Sequence, residues 1–178
     1  MKIKTDRLVI RSFHYEDEVG LYEMCSDYQT ALMAGWKPHP DIGVTRNIVV
    51  SYIYSDETYA IIKRETNELI GTISLYDNNS RKDVLSRELG FCLNKKFRSH
   101  GYMTEACMAI IDFAFNVLKL DILTVCHMPQ NKKSEAVINK VGFNYEGCLR
   151  MYRRLFDGSI VDCVFYSITR QEFKECYL

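Results

Sequence analysis

Charge of one sign is missing from this sequence: 23 lysines and arginines are matched by 23 aspartates and glutamates, for a formal net charge of zero. Without a basic excess, counterion release cannot drive binding to DNA or RNA, and nucleic acid is excluded as a bulk partner. Long hydrophobic runs are missing too. Apolar residues make up 47% of the chain, but charges interrupt them before any run reaches the ~20 residues that span a bilayer, so no membrane segment is expected. The opening MKIKTDRLVIRSF alternates polar and apolar residues and carries no apolar core or small-residue cleavage site of a secretory signal, which predicts a cytoplasmic protein. Cys25, Cys92, Cys107, Cys126, Cys148, Cys163 and Cys176 are odd in number, scattered and never spaced Cys-x-x-Cys. Most sit within apolar stretches, where a thiol behaves as a small hydrophobe, and a reducing compartment is expected. The four histidines are too dispersed for a zinc motif, and no metal is expected. Gly-x-x-x-x-Gly-Lys-Ser/Thr and Gly-x-Gly-x-x-Gly are both absent, which removes the common nucleotide and dinucleotide loops. There is no repeat, linker or low-complexity tract, so residues 1–178 are expected to form one domain.

What is present is an alternation of strand and helix patterns. TDRLVIRSF (Thr5 to Phe13) reads as a first strand by its period of two. Asp17 to Ser26 and Val44 to Tyr54 have helical spacing and are separated by a loop containing Pro38-His39-Pro40. Thr58 to Glu65 and Glu68 to Tyr76 form a predicted hairpin, and after a polar loop SRELGFCL (Ser86 to Leu93) is the next strand. Thr104 to Leu118 predicts a buried helix, Ile122 to Cys126 a short strand, and Ser134 to Val141 a helix stopped by Gly142. Phe143 to Phe156 and Ser159 to Thr169 flank an Asp157-Gly158 turn. The pattern is α/β or α+β: a mixed sheet of about seven strands with a βαβα unit in the middle and a hairpin at the end.

The segment FRSHGYMTEA (Phe97 to Ala106) joins a strand to the long helix, with Gly101 where the chain must turn into it. Such a junction aims free backbone N–H groups and the positive end of the helix dipole at one place, and an anion such as pyrophosphate suits it. Lys95, Lys96, Arg98 and His100 add charge to the same loop, and Thr104 is a candidate helix cap. A capped helix after a solvated basic loop explains the same residues without a ligand.

RSHGYM resembles the Arg/Gln-x-x-Gly-x-Gly/Ala pyrophosphate loop of the GNAT acetyltransferases. GYMTEA is similar to the branch that includes the ribosomal-protein N-terminal acetyltransferases. TDRLVIRSF, ELIGTISL, RELGFCL, NKKSEAVINKVGF and DGSIVDCVFYSI resemble further landmarks of that branch, in the same order, and Met103 stands where many members have Gly or Ala. The resemblance implies a mixed sheet with helices on both faces, whose strands Ser86 to Leu93 and Ile122 to Cys126 splay apart in the middle to hold acetyl-CoA. Cys92 and Leu93 would then pair with the pantetheine arm. Arg98, Ser99, His100, Gly101, Tyr102, Met103 and Thr104 would hold the pyrophosphate, and Asn131 and Ser134 would contact the arm from the far side.

Amine acetylation needs a neutral amine and stabilisation of the oxyanion and departing thiolate. Glu88 is the candidate base, on the same strand face as Gly90 and Cys92, while Arg87 points to the other face. The resemblance also implies a tyrosine seven residues after Asn131 as general acid, but Ile138 stands there. The role of helping the thiolate leave then passes to Ser134, a residue that a helix N-cap would also favour. An acetyl-cysteine intermediate on Cys92 or Cys126, the latter beside His127, competes with simple packing of those thiols. Tyr145, Tyr152 and Tyr166 read mainly as packing residues. Lys132, Lys133 and Lys140 are candidates for the 3′-phosphate of CoA, and Arg150, Arg153 and Arg154 for steering an acidic acceptor. The expected activity is transfer of acetyl from acetyl-CoA to a primary amine: a peptide N-terminus, polyamine, amino acid or antibiotic. A dimer is expected by analogy with the branch. The alternative is an acyl-CoA-binding sensor that retains the loop without turnover.

Overall fold

The N-terminal residues form a hairpin rather than one strand. In the computed structural model, which describes residues 1–78 and 80–177 and the side chains of 1–78 and 80–175, β1 (Lys2–Lys4) pairs antiparallel with β2 (Leu8–Ser12). Thr5 forms the turn, its N–H donating to Leu8 O at 3.0 Å while its hydroxyl accepts from the Leu8 N–H at 3.0 Å. The expected strand from Thr5 to Phe13 is thus a turn followed by a strand, and the sheet gains an eighth member.

The remaining strands are β3 (Thr58–Lys63), β4 (Glu68–Asp77), β5 (Ser86–Leu93), β6 (Ile122–His127), β7 (Asn144–Arg154) and β8 (Ile160–Thr169). Their order is β1-β2-β3-β4-β5-β6-β8-β7, and every neighbouring pair is antiparallel except β5 with β6. A parallel pair needs a crossover, and α4 (Tyr102–Asn116) supplies it. The helix is apolar along one side, so Met103, Ala106, Cys107, Ile110, Ile111, Ala114 and Phe115 are buried against Leu8, Ile10, Ile61, Ile73, Leu89 and Val125. Each fully buried isoleucine or leucine in that layer contributes about 1.5–3 kcal/mol relative to exposure.

On the opposite face lie α1 (Glu18–Cys25), α2 (Tyr28–Ala34) and α3 (Ile42–Ser55). Leu21, Met24 and Val49 pack there with Phe13, Ala60, Ile62, Leu69 and Cys92. The helix α2 falls where a loop was expected. Asp27 caps it by accepting from the Thr30 N–H at 3.0 Å, and Gly35 at φ 85° ends it. A smaller cluster of Leu32, Cys126, Met128, Leu155, Cys163 and Phe165 joins α2 to the last strands. After β6 comes α5 (Lys132–Lys140), and α6 (Arg170–Tyr177) continues beyond β8 where the sequence pattern gave no helix. Cys25, Cys92, Cys107 and Cys163 are buried, Cys126 is half-buried and Cys148 is exposed, all as free thiols. The side chain of Cys176 lies outside the described residues.

The mixed α/β architecture with helices on both faces matches the sequence expectation. The feature that positions chemistry is the central parallel pair. Its register runs from Ser86↔Ile122 only to Leu89↔Val125, although β5 continues beside β4 as far as Leu93↔Gly71 and β6 beside β8 as far as His127↔Val164. Beyond Leu89 and Val125 each strand follows its antiparallel neighbour, and the sheet opens into a wedge.

Candidate cofactor and acceptor site

A cavity of about 670 Å³ lies at the open end of the wedge, between the end of β5 and the start of α5. It is lined by Cys92, Leu93, Arg98, Ser99, Gly101, Tyr102, Met103, Thr104, Asn131 and Ser134 among others, so one space gathers residues from β5, the loop before α4 and the start of α5. His100 and Glu88 lie outside that lining.

The loop is shaped by its backbone. Asn94 Oδ1 accepts from the Lys96 N–H at 3.1 Å and caps a single 3₁₀ turn, Ser99 takes φ 66°, and Gly101 takes φ 79° as the N-cap of α4. Left-handed backbone at Gly101 carries no Cβ penalty. The helix therefore starts at Tyr102, and Thr104 lies inside the first turn instead of capping it. The N–H groups of Tyr102, Met103 and Thr104 have no partner within their own helix, and these residues line the cavity. With the positive end of the helix dipole they favour an anion there.

The N-terminal hairpin holds this turn in place. Arg7 donates from Nη1 to His100 O at 2.9 Å and from Nε to Glu105 Oε2 at 2.6 Å, and its guanidinium lies 4.5 Å from the centre of the Tyr102 ring. Glu105 Oε1 also accepts from the Thr5 hydroxyl at 2.6 Å and the Arg7 N–H at 2.9 Å. Burial pushes the Glu105 carboxyl upward, but the hydrogen bonds from Thr5 and Arg7 outweigh it and hold it below its ordinary range. His100 donates from Nδ1 to Arg98 O at 2.7 Å and stacks on Tyr102.

The cationic side chains expected to face an anion are engaged elsewhere. Lys95 pairs with Asp27 at 2.5 Å and Lys96 pairs with Glu23. Arg98 donates from Nε to Leu93 O at 3.1 Å and from Nη2 to the Thr30 hydroxyl at 2.9 Å. Arg98 thus ties the end of β5 to α2, and what the loop offers the cavity is mainly N–H groups. The Lys95 ammonium, followed by Thr30, holds the Asp27 carboxyl well below the usual range.

Across the wedge, Asn131 caps α5. Its Oδ1 accepts from the Ser134 N–H at 3.2 Å, and its Nδ2 donates to Met33 O at 3.3 Å. Ser134 is therefore in the first turn and not at the N-cap, with its residue on the cavity wall. Lys133 and Lys140 also line the cavity, as does Lys132, which pairs with Glu135 at 2.8 Å. Ile138 is fully buried in the layer beneath α4.

Glu88 stands where the parallel pairing ends, opposite Thr124. It is half-buried, and burial raises its pKa against the opposing pull of the Cys126 thiol and the Arg153 charge. Cys126 Sγ donates to Glu88 Oε1 at 3.6 Å. Arg87 faces the other way and pairs with Asp77 at 2.8 Å. The ring of Tyr76 lies over Gly90, where a Cβ would be 2.7 Å from it. Burial pushes the Cys92 thiol up to about 12, and hydrogen bonding with Cys163, then burial, pushes Cys126 higher still. Thiols held neutral in this way are poor nucleophiles, which favours packing over an acetyl-cysteine role. His127 donates from Nδ1 to Met128 O at 2.8 Å and stacks on Tyr166, on the other face of β6 from Cys126.

Sequence reasoning missed Gln29, Thr30 and Met33 of α2, which wall the cavity, and Arg7, which braces the loop. The spacing of Asp27 to Thr30 followed by Gly35 was the available signal for α2; nothing local marks Arg7.

Comparison with known proteins adds an independent line. Residues 7–144 match the family model described as "Acetyltransferase (GNAT) domain". An uncharacterized N-acetyltransferase, p20, of Bacillus licheniformis is 27% identical over 95% of this chain and 96% of its own. The [ribosomal protein uS5]-alanine N-acetyltransferase of Escherichia coli is 24% identical over 97% and 93%. Among solved structures, an acetyltransferase of the GNAT family from Bacillus anthracis superposes with a TM-score of 0.88, at 26% identity, covering 97% of this chain and all of the other (100%).

Proposed function

Since this chain belongs to the GNAT acetyltransferase family, we propose that it transfers the acetyl group of acetyl-CoA to a primary amine by direct attack within one ternary complex. The observation that carries the reading is the wedge, with the N-terminal turns of α4 and α5 on its walls and Glu88 beyond its inner end. Its size suits a drug-sized ligand. Apolar walls from Met33, Ala34, Phe91 and Val137 suit a pantetheine arm, and the N–H groups at Tyr102 to Thr104 suit a pyrophosphate. Lys133 and Lys140 supply positive charge for a further phosphate.

In this reading Glu88 takes the proton from the acceptor ammonium, either directly or through water. The amine nitrogen then attacks the thioester carbon; an N–C bond forms, backbone N–H donors near Cys92 and Leu93 stabilise the oxyanion, the C–S bond breaks, and the proton that the nitrogen still carries passes to the departing sulfur or to solvent. A raised carboxyl pKa brings Glu88 closer to that of an amine and makes it a better base. The thiolate leaves readily, since an ordinary thiol pKa is near 8.5, and Ser134 donates a hydrogen bond to it. The acceptors the reading admits are a protein N-terminus, as the name of the E. coli relative indicates for that protein, or a small amine. The chain acts as one domain over residues 1–178, in the cytoplasm.

Ile138 in the core, where a tyrosine acid would stand, favours one second reading: a sensor that binds acyl-CoA without turnover. Thiol release from acetyl-CoA across N-terminal peptides, polyamines, amino acids and aminoglycosides separates the two. Release with any amine supports the enzyme; tight binding with no release from any of them supports the sensor.

A further inference from the structure

Among the described residues, Arg153 and the exposed Arg150 are the arginines that meet no oxygen acceptor, whereas Arg64, Arg98 and Arg154 donate to carbonyl or hydroxyl oxygens. Arg7, Arg11, Arg46, Arg81, Arg87 and Arg170 each meet a carboxylate. Arg153 forms no ion pair among the described residues, and its buried Nε has no hydrogen-bond partner there. A buried donor on a charged group that finds no acceptor is costly, so a fold that retains one calls for an explanation.

The backbone aims this side chain inward. The register of β7 against β8 breaks between Leu149 and Arg153, Met151 adopts φ 53°, and the Met151 N–H donates to Asp162 Oδ1 at 2.8 Å. This bulge leaves Met151, Tyr152 and Arg154 exposed and turns Arg153 under α2. There the guanidinium lies against Gly35: a Cβ at that position would sit 2.6 Å from Nη1 and 3.0 Å from Cζ. Gly35 therefore serves twice, as the left-handed end of α2 and as the seat for Arg153. The next residue, Trp36, has a buried Nε1 that also lacks a partner. A side-chain hydrogen bond joins Arg153 to the Cys163 thiol, and its charge also acts on Glu88 and on the Cys126 thiol; it meets no carboxylate in contact.

Glu88, where the parallel pairing ends, and Arg153, which meets no carboxylate and hydrogen-bonds only the Cys163 thiol, thus lie close enough for the charge of one to act on the other. We propose that Arg153 binds an anionic group of the acceptor, so that the substrate is a primary amine bearing a carboxylate or phosphate close to its nitrogen. This rests on the acetyltransferase reading and narrows it. The ammonium of such an acceptor is matched in sign by Glu88, and its anion by a planar fork of donors suited to carboxylate or phosphate. Polyamines and aminoglycosides, which carry only positive charge, would place an ammonium against Arg153 and are disfavoured.

The test uses matched acceptors: glutamate and aspartate against their diamides, and O-phosphoethanolamine against ethanolamine. Thiol release is measured with the wild-type chain, Arg153→Gln and Arg153→Lys, and binding of the same compounds is titrated in the presence of CoA. The expected result is turnover or binding confined to anionic members, a fall of about tenfold or more in the anionic-to-neutral ratio for Arg153→Gln, and partial retention for Arg153→Lys. Which member is preferred, the carboxylate or the phosphate, names the source of the anion. Equal use of the neutral partners, an unchanged ratio in Arg153→Gln, or no binding of any anionic member overturns the proposal. Titration with acetyl-CoA alone shows that each variant is folded. A wild-type chain that does not bind acetyl-CoA counts instead against the acetyltransferase reading.

Discussion

Replacing Gly71 by alanine tests whether the end of β5 is the rail on which acetyl-CoA lies. Gly71 pairs with Leu93 across β4 and β5, and a Cβ added there would stand 2.5 Å from Cys92 O and 3.3 Å from Leu93 Cα. Both are backbone atoms, so no rotamer relieves the contact. Restoring the 3.4 Å of ordinary contact moves the strand end by 0.9 Å, the difference between the two distances. Overpacking of that kind costs about 1–3 kcal/mol, and at this chain length each kcal/mol lowers Tm by roughly 2–4 °C. Thermal unfolding should therefore fall by roughly 2–12 °C. The same displacement misplaces the groups of Cys92 and Leu93 that hold the pantetheine arm in the proposed reading. Loss of one or two net hydrogen bonds weakens acetyl-CoA binding about tenfold, and a shift near 1 Å lowers turnover up to about 10²-fold. Calorimetric unfolding, acetyl-CoA titration and thiol release read the three effects separately. A lower Tm with unchanged acetyl-CoA affinity and turnover would refute the placement of the arm along β5; an unchanged Tm would refute the packing itself.

Glu88→Gln keeps the shape of the strand and removes the proposed base. Turnover should fall about 10²-fold or more while acetyl-CoA affinity stays near wild type. Because burial raises the Glu88 pKa, the ionised form predominates only above that raised value. Wild-type kcat/KM should therefore decline with acid at a pH above the ordinary carboxylate range, a limb that Glu88→Gln lacks. The same shift has a stability consequence of opposite direction: the unfolded chain ionises first as pH rises, so wild-type stability contributed by this group is lost with rising pH, and melting curves of Glu88→Gln should show less of that loss. Ser134→Ala should lower kcat about tenfold at unchanged acceptor KM if the hydroxyl assists the departing thiolate; an unchanged kcat removes Ser134 from the chemistry.

The residues that were legible in the sequence are those whose constraint is local. Gly101 had to be glycine because the chain enters α4 through left-handed backbone, and α4 showed itself through an unbroken apolar face. Glu88 was placed by strand alternation, and the pairing of Arg87 with Asp77 on the other face agrees with that placement. Where the outcome depended on partners distant in the chain, local pattern was silent. Lys95 and Lys96 are drawn to Asp27 and Glu23, and Arg98 to Thr30 and Leu93 O, so a loop that reads as basic presents its backbone to the cavity. The three residues of β1 are too few to show alternation, and α2 is a seven-residue helix whose apolar side contacts a minor cluster. Asn131 preceded Ser134 as the cap because its side chain reaches both the Ser134 N–H and Met33 O, the second of which belongs to a helix the sequence had not disclosed. Arg153 reads as one of three surface arginines until the bulge at Met151 singles it out.

The central claim is that the wedge between β5 and β6 holds acetyl-CoA, and isothermal titration of the purified chain with acetyl-CoA tests it most directly. One saturable site per chain, followed by thiol release when the acceptor amine is added, is the predicted result. No heat of binding and no protection against thermal unfolding at millimolar acetyl-CoA would contradict it.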